Sequence, residues 1–126
     1  MKKILILLVV ILLTGCSFNK ENISNSKINH NSGIIAEQTI NNLTMSDVLL
    51  SYQDGISTFQ VTVKNNSKEE VTVNQFDVVF KTENGSMITT LHGALGDTLT
   101  GDNSITVTIT SDIDLSEAYS LEYQIN

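Results

Sequence analysis

Residues 58–88, TFQVTVKNNSKEEVTVNQFDVVFKTENGSMI, decide the fold class. Phe59, Val61 and Val63 alternate with Thr58, Gln60 and Thr62. Phe76, Val78 and Phe80 share one parity and are flanked by Asp77 and Lys81. Successive side chains of a strand point to opposite faces, so period-2 runs rich in Val, Thr and aromatics read as half-buried strands. Asn65-Asn66-Ser67 divides two of these strands, and Asn84-Gly85 closes a hairpin because both residues tolerate positive φ. Val71 and Val73 have the opposite parity to Phe76 and Val78. A one-residue shift reverses the buried face, so a bulge or a change of sheet is expected near Asn74-Gln75.

The same pattern extends outward. Ile105, Val107 and Ile109 alternate with Thr106, Thr108 and Thr110, and Tyr119, Leu121, Tyr123 and Ile125 alternate with Ser120, Glu122 and Gln124. Leu43 to Tyr52 and Met87 to Leu91 complete the set. Asp54-Gly55 marks a further tight turn, and Gly101-Asp102-Asn103 precedes the strand at Ile105. Six or seven short antiparallel strands at this spacing predict an all-β domain over residues 36–126, a β-sandwich with a barrel as the alternative.

The N-terminal residues are of another kind. Lys2 and Lys3 precede an unbroken apolar run, Ile4 to Leu13. Ten helical residues span about 15 Å, half of a bilayer core of about 30 Å, so the run suits an export signal rather than a transmembrane helix. Leu13-Thr14-Gly15-Cys16 resembles the lipobox of bacterial lipoproteins, [LVI]-[AST]-[GA]-C. That resemblance implies cleavage between Gly15 and Cys16 and a diacylglycerol thioether on Cys16. It implies a protein lipid-anchored to the cell membrane on its extracytoplasmic face, since two acyl chains anchor stably where one does not. Residues 1–15 are then the signal peptide and residues 16–35 the lipidated cysteine with its tether. Residues 17–33, SFNKENISNSKINHNSG, carry only isolated apolar residues, so a flexible tether containing His30 is expected there.

Cys16 is the one cysteine of the chain. Lipidation consumes its thiol, and no intrachain disulfide can form. Cleavage removes two of the seven basic residues and none of the 14 acidic ones, taking the formal charge from −7 to −9. Arginine is absent, and so acidic a chain repels nucleic acid and anionic headgroups.

VTVKNNSKEEVTVNQFDVVFKTENGSMI (residues 61–88) also resembles the core of small Ig-like domains in bacterial lipoproteins, the telokin-like and FxLYD-type modules. The shared pattern is a V-x-V-x-N strand end (Val61, Val63, Asn65), an apolar-aromatic strand (Phe76 to Phe80) and an x-G hairpin (Asn84-Gly85). A Gly-containing turn (Gly101) then leads into the strand Ser104 to Ile109. The Pro-Gly turn of that pattern is Thr100-Gly101 here, and the Leu-Tyr-Asp signature is absent. The resemblance implies an Ig-like antiparallel sandwich of about seven strands and carries no catalytic residues across.

No G-x-S-x-G, phosphate-binding Gly loop or H-E-x-x-H is present. No cofactor is expected, and a non-catalytic module binding a protein or an envelope component is the preferred reading. The alternative is a lipoprotein that binds a small ligand or a cation. Three constellations bear on it. Asp112, Asp114 and Glu117 could supply oxygens to Ca²⁺, although Asp114-Leu115-Ser116-Glu117 also has capping-box spacing. Met87 and His92 suit Cu(I) as ligands, although Met45 is the single other methionine after cleavage, and Met87 beside Ile88 also reads as core. Tyr52, Tyr119 and Tyr123 could stack on sugars, although alternation places Tyr119 and Tyr123 in the core with hydroxyls at the rim. The Gly-rich segment 91–97 is the least regular, and its His92, Gly93 and Asp97 are the expected partner-binding residues. A connection crossing between sheets would look the same.

Overall fold

The computed structural model describes residues 26–93, 95 and 98–126. Strands form where the alternation places them: β1 (Lys27–Ile28), β2 (Gln38–Ile40), β3 (Leu43–Gln53), β4 (Ile56–Asn65), β5 (Val71–Thr72), β6 (Phe76–Lys81), β7 (Met87–Gly93), β8 (Thr98–Leu99), β9 (Ser104–Ser111) and β10 (Ser120–Ile125). One helical turn, α1 (Ser32–Ile35), follows β1. Six of the strands have six residues or more, and the other four are short additions.

One sheet runs β3-β4-β9, with β1 and β2 both added to the free side of β3. The second runs β10-β6-β7, and β5 and β8 form a small separate pair. The chain crosses between sheets after β4, after β7 and after β9. Strands β3, β4 and β9 therefore hold the places of A, B and E in an immunoglobulin sandwich, and β10, β6 and β7 those of F, C and C′. All named pairings are antiparallel. The protein is an all-β, Ig-like antiparallel sandwich.

The core lies between the inner faces. Phe59, Val61 and Val63 of β4 meet Phe76, Val78 and Phe80 of β6, all fully buried. The Phe59 and Phe80 rings pack edge to face at 5.5 Å, and Tyr123 of β10 lies 6.5 Å from Phe59 and 5.8 Å from Phe76. Asn74-Gln75 is the expected change of sheet: both backbone N–H groups donate to the Asn126 carbonyl (2.9 and 3.0 Å), and β6 starts afresh in the other sheet.

A bulge lets β3 keep one face inward along eleven residues. Its register against β4 slips between Ser46 and Leu49, and Asp47 has φ of 52°. Before the slip Leu43 and Met45 are buried; after it Leu50 is. The extra residue of the bulge resets parity, so residues of opposite numbering share the core face.

Turns follow their residues. Asp54 and Gly55 both have positive φ, as a two-residue primed turn requires. In the β6–β7 hairpin Gly85 alone is left-handed: its N–H donates to the Thr82 carbonyl (3.0 Å), and a bulge follows between Phe80 and Lys81. This is the longer hairpin loop, a turn closed by a left-handed glycine, and Asn84 needs no unusual backbone. Asn41 and Asn42, both at positive φ, form a β2–β3 turn that the sequence reading did not identify.

The expected boundary at residue 36 falls too late. Residues 27–35, assigned to the tether, belong to the folded body. Lys27 and Ile28 pair with Tyr52 and Ser51, Gly33 bridges to Ser120, and Ile34 is fully buried in the core. Asn29, itself buried, donates through Nδ2 to the carbonyls of Leu115 (3.1 Å) and Ala118 (2.8 Å) and accepts from the Asn31 N–H (3.0 Å). Isolated apolar residues in a polar segment gave no periodic signal, yet one of them closes the side of the sandwich. Ile34→Ala is expected to cost about 2–5 kcal/mol, the range for emptying a packed aliphatic site. Urea unfolding of the full chain checks this; an unchanged midpoint would return residues 27–35 to the tether.

Candidate functional site

Buried polar side chains fix the loops at both ends of the sandwich. At one end Ser57 donates from Oγ to the Ile113 carbonyl (2.7 Å) and accepts from the Leu115 N–H (3.0 Å). At the other, the Asn65 amide is fully used: Nδ2 donates to the carbonyls of Glu69 (2.7 Å) and Leu99 (3.0 Å), and Oδ1 accepts from the Ser67 N–H (2.9 Å) and hydroxyl (2.7 Å). Sequence reading found Asn65 as a strand end but missed Ser57 and Asn29. The chain enters at the Ser57 end, since β1 pairs beside Tyr52 and next to the Asp54-Gly55 turn. The turn 41–42 and the loops 66–70 and 100–103 lie at the opposite end.

His92 and Gly93 finish β7 at that opposite end, paired with Asp77 and Phe76. His92 Nδ1 is 2.8 Å from Asp77 Oδ1, and Gln75 Nε2 donates to Asp77 Oδ2 at 2.5 Å. The hydrogen bonds from Gln75 and then from His92 hold the Asp77 carboxyl below the usual carboxylate range. An ionised carboxylate only accepts, so the shared proton sits on His92 Nδ1. Asp77 is almost wholly covered, whereas the His92 side chain is 75% exposed. The pair thus presents an oriented imidazole on the outer face of the second sheet, a group able to donate to or accept from a partner. Asp77 and Gln75 were not marked as site residues in the sequence. The one signal was an acid within an apolar strand, which forces it onto the outer parity.

The other sequence candidates separate. Gly15, Cys16 and Asp97 lie outside the described residues. Asp112, Asp114 and Glu117 sit in the β9–β10 connection, but among the described residues no group of three His, Cys, Asp or Glu is placed to hold a metal ion. Asp114 Oδ1 is occupied by the Ser116 N–H (2.9 Å) and hydroxyl (2.6 Å), which hold its carboxyl below the usual range, the hydroxyl contributing more. That contact two residues on is an Asx turn, so the capping-box alternative is not formed either. Met87 is 63% exposed, which corrects its reading as core. It is paired with Lys81 at the entry end of β7, five residues before His92. The tyrosines make no common platform. Tyr123 is buried in the core, but its hydroxyl lies inside rather than at the expected rim, with no hydrogen-bond partner among the described residues, and burial pushes its phenol up. Tyr119 precedes β10 and is 48% exposed, contrary to its expected place in the core.

No helix among the described residues is long and apolar enough to cross a membrane. No family model matches the chain. No curated protein matches it. Among solved structures the chain is similar to a DUF1425 family member from Shewanella sp. pv-4, with 17% sequence identity and a TM-score of 0.46 over 79% of this chain and 94% of that one.

The Asp77 contacts make stability depend on pH in one direction. A carboxyl whose folded pKa is depressed stabilises the fold above its unfolded value and loses that contribution as pH falls through the folded value. Wild type should therefore melt above Asp77→Asn at neutral pH, and the gap should close on the acid side of the ordinary 3.8. Melting temperatures of the two proteins across pH check this. A gap that stayed constant through the acid range would mean that the charge of Asp77 plays no part.

Proposed function

We propose that the chain is a surface lipoprotein, held to the extracytoplasmic face of the cell membrane through Cys16, whose sandwich is a non-catalytic module that binds a protein or envelope component. The observation that carries the anchor is Leu13-Thr14-Gly15-Cys16 at the end of the charged-then-apolar leader. The folded body starts early, since Lys27 already pairs with β3. The eleven peptide steps from Cys16 to Lys27 can span no more than roughly 40 Å, so a lipid on Cys16 keeps the sandwich next to the membrane. The chain enters at the Asp54-Gly55 end, so the opposite end, with His92 and Gly93, is the one free to meet a partner.

The binding reading rests on what the sandwich offers. Among the described residues buried Asn29, Ser57 and Asn65 fix loops, and the sandwich presents an oriented imidazole and an extended strand edge. Neither by itself forms a reaction centre: the imidazole has Asp77 as orienting group but no nucleophile placed beside it by any hydrogen bond among the described residues. The telokin-like and FxLYD-type likeness of residues 61–88 agrees with this role.

Cys16→Ser should move the protein from the membrane pellet and the detergent-rich phase to the aqueous phase. Intact-mass measurement of wild type should show loss of residues 1–15 and gain of acyl chains. A wild-type protein that remained aqueous with an unmodified Cys16 would overturn the anchor.

A further inference from the structure

The edges of the two sheets are not treated alike. The free side of β3 is covered at both ends by β1 and β2 and bulged between them at Ser46/Leu49. β7 carries a bulge against β6 and ends in the exposed His92. β10 carries the exposed Glu122, and its start is bridged by Gly33. These are the devices by which sheets protect themselves from adding a strand.

β9 has none of them. It is the last strand of its sheet, and its eight residues, Ser104-Ile105-Thr106-Val107-Thr108-Ile109-Thr110-Ser111, hold no charge and no proline. Its register against β4 runs from Ser104 to Ser111 without a slip. Thr106, Thr108 and Thr110 are exposed, and Val107 is buried. In a constant-type immunoglobulin sheet strand E is followed by strand D. Among the described residues nothing pairs with β9 on that side, because β8 pairs with β5 instead. The result is an uninterrupted, uncharged, β-branched edge whose outward N–H and C=O groups have no protein partner among the described residues.

The ends of this edge say what would fit it. Asp102 lies before β9 and Asp112 directly after it, both exposed. Of the nearby cations, Lys64 is one strand inward, opposite Ser104, and Lys68 has its backbone against Gly101. A second copy of the chain is a poor occupant. Laid antiparallel it sets Asp102 against the other copy's Asp112, and laid parallel it sets each acid against itself; like charges facing across strands are unfavourable.

We propose that β9 is a docking strand that takes an extended segment of a partner protein by strand addition, the segment having an uncharged, β-branched middle and basic residues at both ends. Main-chain hydrogen bonds would supply affinity, and Asp102 and Asp112 the choice of partner. The proposal rests on the binding-module reading and names its partner.

The test uses the full chain in detergent micelles. The probe is a synthetic peptide of alternating threonine and valine with two lysines at each end. Two further peptides have aspartates at the ends or N-methyl groups on alternate central amides. Amide hydrogen exchange of Ser104–Ser111 should slow by about tenfold or more at saturating lysine-ended peptide, as newly bonded amides become protected. The aspartate-ended peptide should bind at least about tenfold more weakly at low salt, and the N-methylated peptide should not protect β9. T106K/T110K places cations on outward-facing positions, so its melting temperature should hold while the lysine-ended peptide is lost. Protection elsewhere, equal binding of the N-methylated peptide, or a concentration-dependent dimer through β9 would each overturn the proposal. A surface protein that copurifies stoichiometrically with wild type and equally with T106K/T110K would overturn docking at β9 while leaving the binding module intact. Loss of that protein in T106K/T110K would support docking at β9.

Discussion

An aromatic cluster between the sheets takes the position that a disulfide holds in antibody domains. There a B–F disulfide packs against a strand-C tryptophan. Here the chain has one cysteine and no tryptophan. The corresponding strands instead bring together Phe59 of β4, Tyr123 of β10, and Phe76 and Phe80 of β6, with ring centroids 5.5 to 6.5 Å apart. Edge-to-face rings add about 0.5–1.5 kcal/mol per pair beyond the area they bury. Every other feature presupposes this contact: the alternation of β4 and β6 matters because it points these rings at one another.

With no covalent link, the loops must be held by hydrogen bonds, and those bonds are buried. Asn29, Ser57 and Asn65 each donate to backbone carbonyls in segments distant along the chain. A buried backbone group left unpaired costs about 1–3 kcal/mol, so a single short side chain that satisfies two or three of them orders a whole connection. The three are small and uncharged, which lets them enter the interior without the larger desolvation penalty of a carboxylate or ammonium. Among the described residues Asp77 is the acid that is covered, and it lies on the outer face with two donors directed at it.

Much of the sandwich was legible because its signals are local and repeat. Period-2 runs gave β4, β6, β9 and β10, and Asp54-Gly55 gave its turn. The reversal of parity between Val73 and Phe76 gave the crossing between sheets. What escaped depends on contacts between residues distant in sequence. Residues 27–35 resemble a linker in composition, and their order comes from Tyr52, Ser51 and the 115–118 backbone. In β3 the run Val48-Leu49-Leu50 hides the bulge, since consecutive apolar residues fit either parity. Tyr119 is placed inward by continuing an alternation past the point where pairing begins, and Met87 by its neighbour Ile88, although a bulge resets the register there. The site was less legible than the fold: His92 stood out by rarity, but its orienting partner Asp77 looked like an ordinary outward residue of a strand.

A sandwich has two open sides as well as two faces, and this one seals both with side chains rather than strands. On the β3/β10 side α1 packs against both strands and inserts Ile34. On the β7/β9 side the connection between those strands contributes Leu95 and Leu99 to the core, and Gly93 lies against Ile109. Excluding water from the interior and pairing the backbone of an edge are separate requirements. Apolar side chains meet the first and do nothing for the second. On the β3 side the entering chain meets both, because β1 and β2 flank the α1 plug and pair with the edge. On the β9 side the strand of the plug, β8, pairs with β5 instead, so the core there is closed while the outward main chain of Ser104–Ser111 has no strand partner among the described residues.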